Sequence, residues 1–457
     1  MKHGIVFALS LIAVTGIQQS FAQLPTAPAY PQPDERCKAD ILLILAHPDD
    51  ETAIGSYLAK AIFDEKKHVA IIYTTRGTGG GNSHGNEQAT ALGAIREIEN
   101  RRATSAFGIE NVWFIDGRDT PGQDVLHSLH RWNHGAVLEQ VVRLIRLTRP
   151  EIIMTWLPHY VAGENHGDHQ AAGVIATEAF DLAGNPTVFP AQVAPPRERL
   201  DINNFTEGLR PWQPKKLYFF SDASHAIPAE GPRFDMAAIS PARKVPYYQL
   251  AAELQKHYLT QGEVSQIAAK ALATGDFKEL RKWLRNFNLI FGKSVVKCDP
   301  RGEVFEGITS REAAYVPVRG YRAEPRQGMS VTLGGAFAFY REFWKAHNLE
   351  HLGPLVAPEM EVGAGSYVHI PLLLRNDTPD SVEITLTSTM PAGWRESSGS
   401  ARYRLGPFET YPAQTFFFAP AEERAEPQEV IWKAAAHGKV IGSVSMKTIV
   451  KDWTLPQ

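Results

Sequence analysis

The chain has 457 residues, more than one hydrophobic core usually organises, so two domains are expected. A composition of 44% hydrophobic and 21% charged residues excludes wholesale disorder, and a formal net charge of -3 gives no reason to expect nucleic acid or an anionic membrane as partner. Two cysteines without a CxxC pair exclude a structural thiolate zinc site; Cys37 and Cys298 lie near the edges of the first domain, placed either for one disulfide or as two unpaired thiols.

Residues 1–22 carry Lys2 and His3, an apolar segment from Ile5 to Ile17, and the small residues of Ser20-Phe21-Ala22, which together read as a cleaved export signal. The apolar segment is short for a membrane span, so no span is expected after cleavage and the mature chain is expected to be periplasmic or secreted. Residues 23–36, rich in Pro and Ala, read as a flexible leader.

Residues 37–305 alternate strand and helix. Ile41 to Glu51 reads ILLILAHPDDE, a buried strand ending abruptly in His47, Pro48 and three carboxylates. Pro48 stops the ladder and frees His47, Asp49 and Asp50 to turn toward one point. Ala53 to Phe63 reads as a helix and Val69 to Thr75 as a second strand; the Gly-rich Arg76 to Asn82 then fails the GxGxxG spacing of a dinucleotide site and fits close backbone approach to a site mouth. A helix over Glu87 to Phe107 carries charges whose spacing suggests solvated ion pairs, Arg96 and Glu99 included. Val112 to Ile115 is a third strand, ending at Asp116. A helix over Gly135 to Thr148, a strand over Glu151 to Trp156 and an irregular loop lead to His166-Gly167-Asp168-His169, ahead of the helix-like run Ala171 to Phe180. A Pro-rich excursion (190–214), a strand over Lys215 to Phe220 and a helix over Tyr247 to Leu259 follow. This alternation implies an α/β fold, a mostly parallel Rossmann-like sheet with helices on both faces.

Residues 306–357 read as a linker and bridging segment, with a short helix over Phe337 to Asn348. Residues 358–457 show period-two runs between turn clusters, the pattern of a C-terminal antiparallel β-sandwich. The stretch SVEITLTSTMPAGW resembles bacterial Ig-like accessory domains, and a cut near Pro354 is expected to leave the first domain folded. Its aromatics (Trp394, Tyr403, Phe408, Tyr411, Phe416 to Phe418, Trp432) read as core rather than as a sugar-binding face.

An imidazole and a carboxylate three residues apart form a pair of metal ligands, with the remaining carboxylate free as a base and a third ligand needed from elsewhere; HGDH can supply it. The two clusters, HPDD and HxDH, resemble the PIG-L/LmbE-like family of metal-dependent de-N-acetylases. The resemblance implies His47, Asp50 and His169 as ligands of one Zn²⁺ per chain or of another divalent transition metal. It further implies Asp49 as general base, and His166, held protonated by Asp168, as oxyanion donor. It puts Asp116 near the substrate. Where well-known members carry a Tyr two residues before the HxDH His, this chain has Glu164, and the nearest upstream Tyr is Tyr160. The segment from His257 to Gly262 resembles a family His-x-x-x-Gln-Gly run, so His257 joins Asp116, Glu164 and Arg76 as a substrate-side candidate. The expected substrate is an N-acetylglucosamine-type sugar or conjugate. The alternatives are a non-sugar small amide or a non-catalytic carbohydrate-binding protein; a nucleotide-dependent enzyme fails on the Gly-rich spacing. The sequence leaves the oligomeric state open.

Overall fold

The computed structural model describes residues 34–160, 166–194, 207–223, 227–284, 289–322, 328–356, 358–397 and 401–452. Residues 1–22, read above as an export signal, nearly all of residues 23–36, read as a leader, and Glu164 lie outside the described residues. Both cysteines are free thiols. Among the described residues no helix is long and apolar enough to cross a membrane.

The first sheet contains β1 (Ile41–Leu45), β2 (Val69–Thr75), β3 (Asn111–Gly117), β4 (Ile152–Trp156), β5 (Lys216–Phe220) and β6 (Ile290–Ser294), in the order β3-β2-β1-β4-β5-β6. All pairs are parallel except β5 with β6. Every residue of β1, β2, β4 and β5 is buried, the consequence of apolar runs that must be covered on both faces. The chain steps outward from β1 to β3, then returns to the other side of β1 at β4. Right-handed crossovers therefore place the helices before and after that reversal on opposite faces. One group comprises α1 (Gly55–Ala59) and α2 (Ala89–Ala106), later joined by α7 (Tyr247–Gln255) and α8 (Glu263–Thr274); the other is α3 (Val125–Arg131), α4 (His134–Thr148) and α5 (Gly167–Leu182). Two short helices, α6 (Pro190–Val193) and α9 (Lys278–Trp283), complete this part. The reversal makes the carboxyl ends of β1 and β4 a topological switch point, where such sheets bind ligands.

The bridging segment serves both halves. Its strand β7 (Gly328–Leu333) pairs with a sandwich strand, whereas its helix α10 (Gly335–Ala346) buries Tyr340, Phe343 and Trp344 in the first core. The sandwich adds β8 (Glu359–Gly363), β9 (Tyr367–Asp377), β10 (Val382–Thr389), β11 (Arg395–Glu396), β12 (Ala401–Leu405), β13 (Thr410–Phe418), β14 (Gln428–Ala436) and β15 (Lys439–Lys451). They form two sheets, β12-β10-β14-β15-β8 and β11-β13-β9-β7, antiparallel except for the parallel pair β15 and β8. Trp394, Phe417 and Trp432 fill the space between them, while Phe408 and Tyr411 are exposed. A cut near Pro354 would part β7 from β9, its only pairing among the described residues, because the apolar pattern of 328–333 is completed by a strand downstream.

Candidate active site

At the end of β1 the ladder stops and the chain turns sharply. Asp49 adopts φ 118°, ψ -17°, a left-handed conformation that a non-glycine residue holds only under constraint from its surroundings. The turn brings the Asp50 side chain back beneath the strand end. There Asp50 Oδ2 accepts from the backbone N–H of Ala46 at 2.8 Å, of His47 at 3.0 Å, and from Trp156 Nε1 at 2.6 Å. With one oxygen held by three donors, Oδ1 faces the imidazoles: 3.2 Å to His169 Nε2 and 3.7 Å to His47 Nδ1. Burial alone would raise the Asp50 pKa, but His169 and His47 outweigh it and hold the carboxylate well below its ordinary range.

His169 arrives from β4. The helix α5 starts earlier than its apolar run suggests, at Gly167, with His166 as N-cap, so His169 lies in the first turn. Gly167 is needed there, since a Cβ would stand 2.7 Å from Ser128 Oγ and 2.9 Å from the Asp124 carbonyl oxygen. Trp156, the last residue of β4, stacks flat on the His169 ring with centroids 4.0 Å apart. One indole thus fixes both Asp50 and His169. His169 Nδ1 lies 3.8 Å from Asp222 Oδ2.

The three imidazoles of His47, His166 and His169 each offer a nitrogen within 4.8 Å of the others, and Asp50 Oδ1 lies against two of them. This nitrogen and oxygen donor set fits a divalent transition metal. The surrounding carboxylates favour positive charge at the same point. Burial opposes an imidazolium at His47, yet Asp168, Asp50 and Asp119 hold its pKa well above the ordinary value, and the field that favours a proton there favours a cation.

Two expectations about this cluster need correction. Asp168 serves His47, not His166: its Oδ2 is 3.5 Å from His47 Nε2, and Thr120 fixes it through N–H at 2.9 Å and Oγ1 at 2.5 Å. A carboxylate on one ring nitrogen orients the other toward a metal, the usual partnership of ligating histidines. His166 is not held protonated; burial first, then the neighbouring His169 and His47, push its pKa down to about 2. Its Nδ1 accepts from the Asp168 N–H at 3.4 Å, so the neutral ring carries its proton on Nε2.

Comparison with known proteins bears on the same stretch. Residues 42–180 match the family described as PIG-L: GlcNAc-PI de-N-acetylase. The chain carries a PIG-L family domain. It is 29% identical over 181 residues to a 1D-myo-inositol 2-acetamido-2-deoxy-alpha-D-glucopyranoside deacetylase 1 of Catenulispora acidiphila, covering 36% of this chain and 54% of that one. It is 26% identical over 194 residues to a probable N-acetyl-alpha-D-glucosaminyl L-malate deacetylase 2 of Bacillus anthracis, covering 39% and 76%. Among solved structures it is similar to the N,N'-diacetylchitobiose deacetylase of Pyrococcus horikoshii, with TM-score 0.39, 16% identity and coverage of 55% and 84%. The chain spans about half the length of the first of these relatives.

Around the PIG-L domain's cluster the substrate-side candidates disperse. Asp116 is exposed, 3.6 Å from Arg76 Nε, because β3 is an edge strand whose end turns to solvent. Arg76 pairs with Glu97 and lies over Phe114. His257 is half-buried; burial first, then the positive charges of Lys256 and Arg102, lower its pKa, with Glu253 opposing. The carboxylate that does reach the cluster is Asp119, three residues past Asp116: its Oδ1 is buried without a hydrogen-bond partner, 3.7 Å from His47 Nε2. Its Oδ2 accepts from the Gly79 N–H at 2.5 Å and Thr78 Oγ1 at 3.2 Å. Arg96 clamps the same loop from the other side, donating to the carbonyls of Gly77 and Gly81, each at 2.9 Å. A Cβ on Gly77 or Gly80 would meet that guanidinium at 2.5 or 2.6 Å. Arg96 and Glu99 are therefore buried structural clamps rather than solvated ion pairs, Glu99 accepting from Thr260 N–H and Oγ1 at 3.0 and 2.7 Å. Burial, then the charge of Asp50, raises the Asp49 pKa well above the ordinary carboxylate value, with Arg96 opposing.

The helix α7 ends at Gln255, earlier than its pattern implies, and the released residues lock the PIG-L motif from below. Glu51, fully buried, accepts from Tyr73 Oη at 2.6 Å and from Tyr258 Oη; Asn100 Nδ2 donates to the two hydroxyls at 2.6 and 2.8 Å. Gln261 Nε2 donates to the Pro48 carbonyl. Burial lifts the Glu51 pKa to about 7 against these hydrogen bonds. Tyr258→Phe removes one donor from a carboxyl that water cannot reach, and should lower unfolding free energy by about 1–3 kcal/mol in urea titrations. His257→Ala, one residue away, should leave stability unchanged.

Proposed function

We propose that the chain is an exported, metal-dependent hydrolase that removes an acetyl group from an N-acetylglucosamine-type sugar or conjugate. The observation that carries the reading is the convergence of HPDD and HGDH from the ends of β1 and β4 on one buried point, within a domain whose relatives are named as deacetylases of such conjugates. The composition of residues 1–22 supports export.

A divalent cation held by His47, Asp50 and His169 would polarise the amide carbonyl and lower the pKa of water to about 7. Asp49, beside one of these ligands, takes the proton from the attacking water and returns it to the amine nitrogen as the C–N bond breaks. The neutral His166 donates its Nε2–H to the oxyanion, a role that needs no imidazolium. Asp168 and Thr120 keep His47 in the tautomer that directs Nδ1 inward. The unpartnered Oδ1 of Asp119 accepts a sugar hydroxyl, so Asp119 takes the substrate-side place that the family resemblance implied for Asp116.

The test is metal content together with acetate release from the purified mature chain across a panel of N-acetylglucosamine compounds, before and after chelation. Release that is lost with the metal and restored by adding it back is the expected result. One metal per chain without release from any compound would move the substrate outside acetamido sugars; no metal at all would overturn the mechanism.

A further inference from the structure

The segment that leaves β4 and delivers HGDH is held from outside the PIG-L domain. Phe337, Tyr340 and Trp344, spaced to share one face of α10, surround His159, whose ring centroid lies 6.2, 4.6 and 5.0 Å from theirs. Trp344 Nε1 donates to the Pro158 carbonyl at 3.3 Å. Tyr160 Oη accepts from the backbone N–H of Glu361 in β8. Tyr340 Oη donates to Gln170 Oε1, and Gln170, fully buried, also donates to the Gln123 carbonyl at 3.3 Å. Gln170 follows His169 directly, so these contacts grip the first turn of α5 and the strand exit on both sides of residues 161–165. Tyr340, Trp344 and Tyr160 are all nearly inaccessible to solvent, and they belong to the same apolar cluster as β1, β4 and α5.

We infer that α10 and β8 are positioning elements for the metal site: the C-terminal half is not an appendage but sets the placement of His169 relative to His47 and Asp50. Tyr340 is the principal positioning residue, acting through Gln170, and Tyr160 ties the same segment to the sandwich. Nothing in the HPDD or HGDH motifs requires this arrangement. It rests on the metal-site reading above, and its test separates the two.

The experiment measures Zn²⁺ affinity of the full-length chain by competition with a chromogenic chelator, alongside thermal unfolding. Tyr340→Phe should weaken Zn²⁺ binding about tenfold, the lower end of what loss of an outer-shell partner costs a metal site. Tyr160→Phe should act in the same direction. Tyr403→Phe, whose ring packs against Tyr411 within the sandwich, should leave affinity unchanged. Adding Tyr340→Phe to Gln170→Met should cost no further affinity, because the Tyr340 hydroxyl has by then already lost its Gln170 partner. Tyr340→Phe and Tyr160→Phe that fold, unfold at lower temperature and bind Zn²⁺ like the wild type would reduce these contacts to packing and overturn the inference alone. Losses that add in the double variant would overturn the Gln170 route. A wild-type chain that takes up no Zn²⁺ would overturn the site reading, and the inference with it.

Discussion

A chain carrying Asp50→Asn will fold but bind divalent metal more than about 100-fold more weakly than the wild type, beyond what loss of an outer-shell partner causes. The substitution separates the two jobs of this carboxylate. Asn can keep its carbonyl oxygen on the N–H groups of Ala46, His47 and Trp156, which hold Oδ2 at 2.6–3.0 Å, so the strand end stays anchored. The atom that faces His47 and His169 becomes an NH₂ group, which has no lone pair for a cation and no charge to attract one. Circular dichroism and chelator competition on the same preparation check both halves. Two donor sets compete here, Asp50 with His47 and His169, or the three histidines alone. Wild-type affinity in Asp50→Asn would select the histidine trio. In that event His166→Ala would strip the metal, whereas the proposed roles have His166→Ala keep the metal and lose turnover.

The parts of this site that were legible in the sequence are those that sit on regular elements. A run of apolar residues stopped by Pro48 announces a strand end, and the helical run after HGDH announces a helix start, so the meeting of the two motifs follows from α/β alternation. What the sequence concealed comes from loops and from long-range packing. Asp119 and Asp116 are both acids past the end of β3, and only the path of the loop decides that one turns inward while the other faces solvent. Arg96 and Glu99 look like surface charges because their partners, the Gly77 and Gly81 carbonyls and the N–H and hydroxyl of Thr260, are uncharged groups distant in sequence that leave no charge pattern to read. Asp168 sits nearer in sequence to His166 than to His47, but α5 begins at Gly167 and the helical turn carries its carboxylate away from the N-cap side chain. Trp156 had a signal, an aromatic residue as the last position of a strand that enters the site. The bridging segment misled for another reason: strand β7 and helix α10 are each too short to reveal which core they complete.

Asp49→Asn is expected to lower the rate of acetate release at saturating substrate by about 10²–10⁴, the range that one positioned proton carrier contributes, with metal content unchanged. Asn is the informative replacement because it matches Asp in size and tolerates the left-handed backbone at φ 118°, so the turn that carries Asp50 should persist. It cannot accept a proton from water. Asp49→Gly then probes the backbone by itself. A non-glycine residue in this conformation stores strain of about 1–3 kcal/mol, which glycine relieves, offset in part by the greater freedom of glycine in the unfolded chain. The glycine variant should therefore be as inactive as the asparagine variant, yet at least as stable as the wild type in thermal unfolding. Increased stability with lost turnover would show that the fold tolerates Asp49 for its chemistry rather than for its contacts. If Asp49→Asn instead released the metal, the division between base and ligand would be reversed, and Asp50 would be the residue to test for proton transfer.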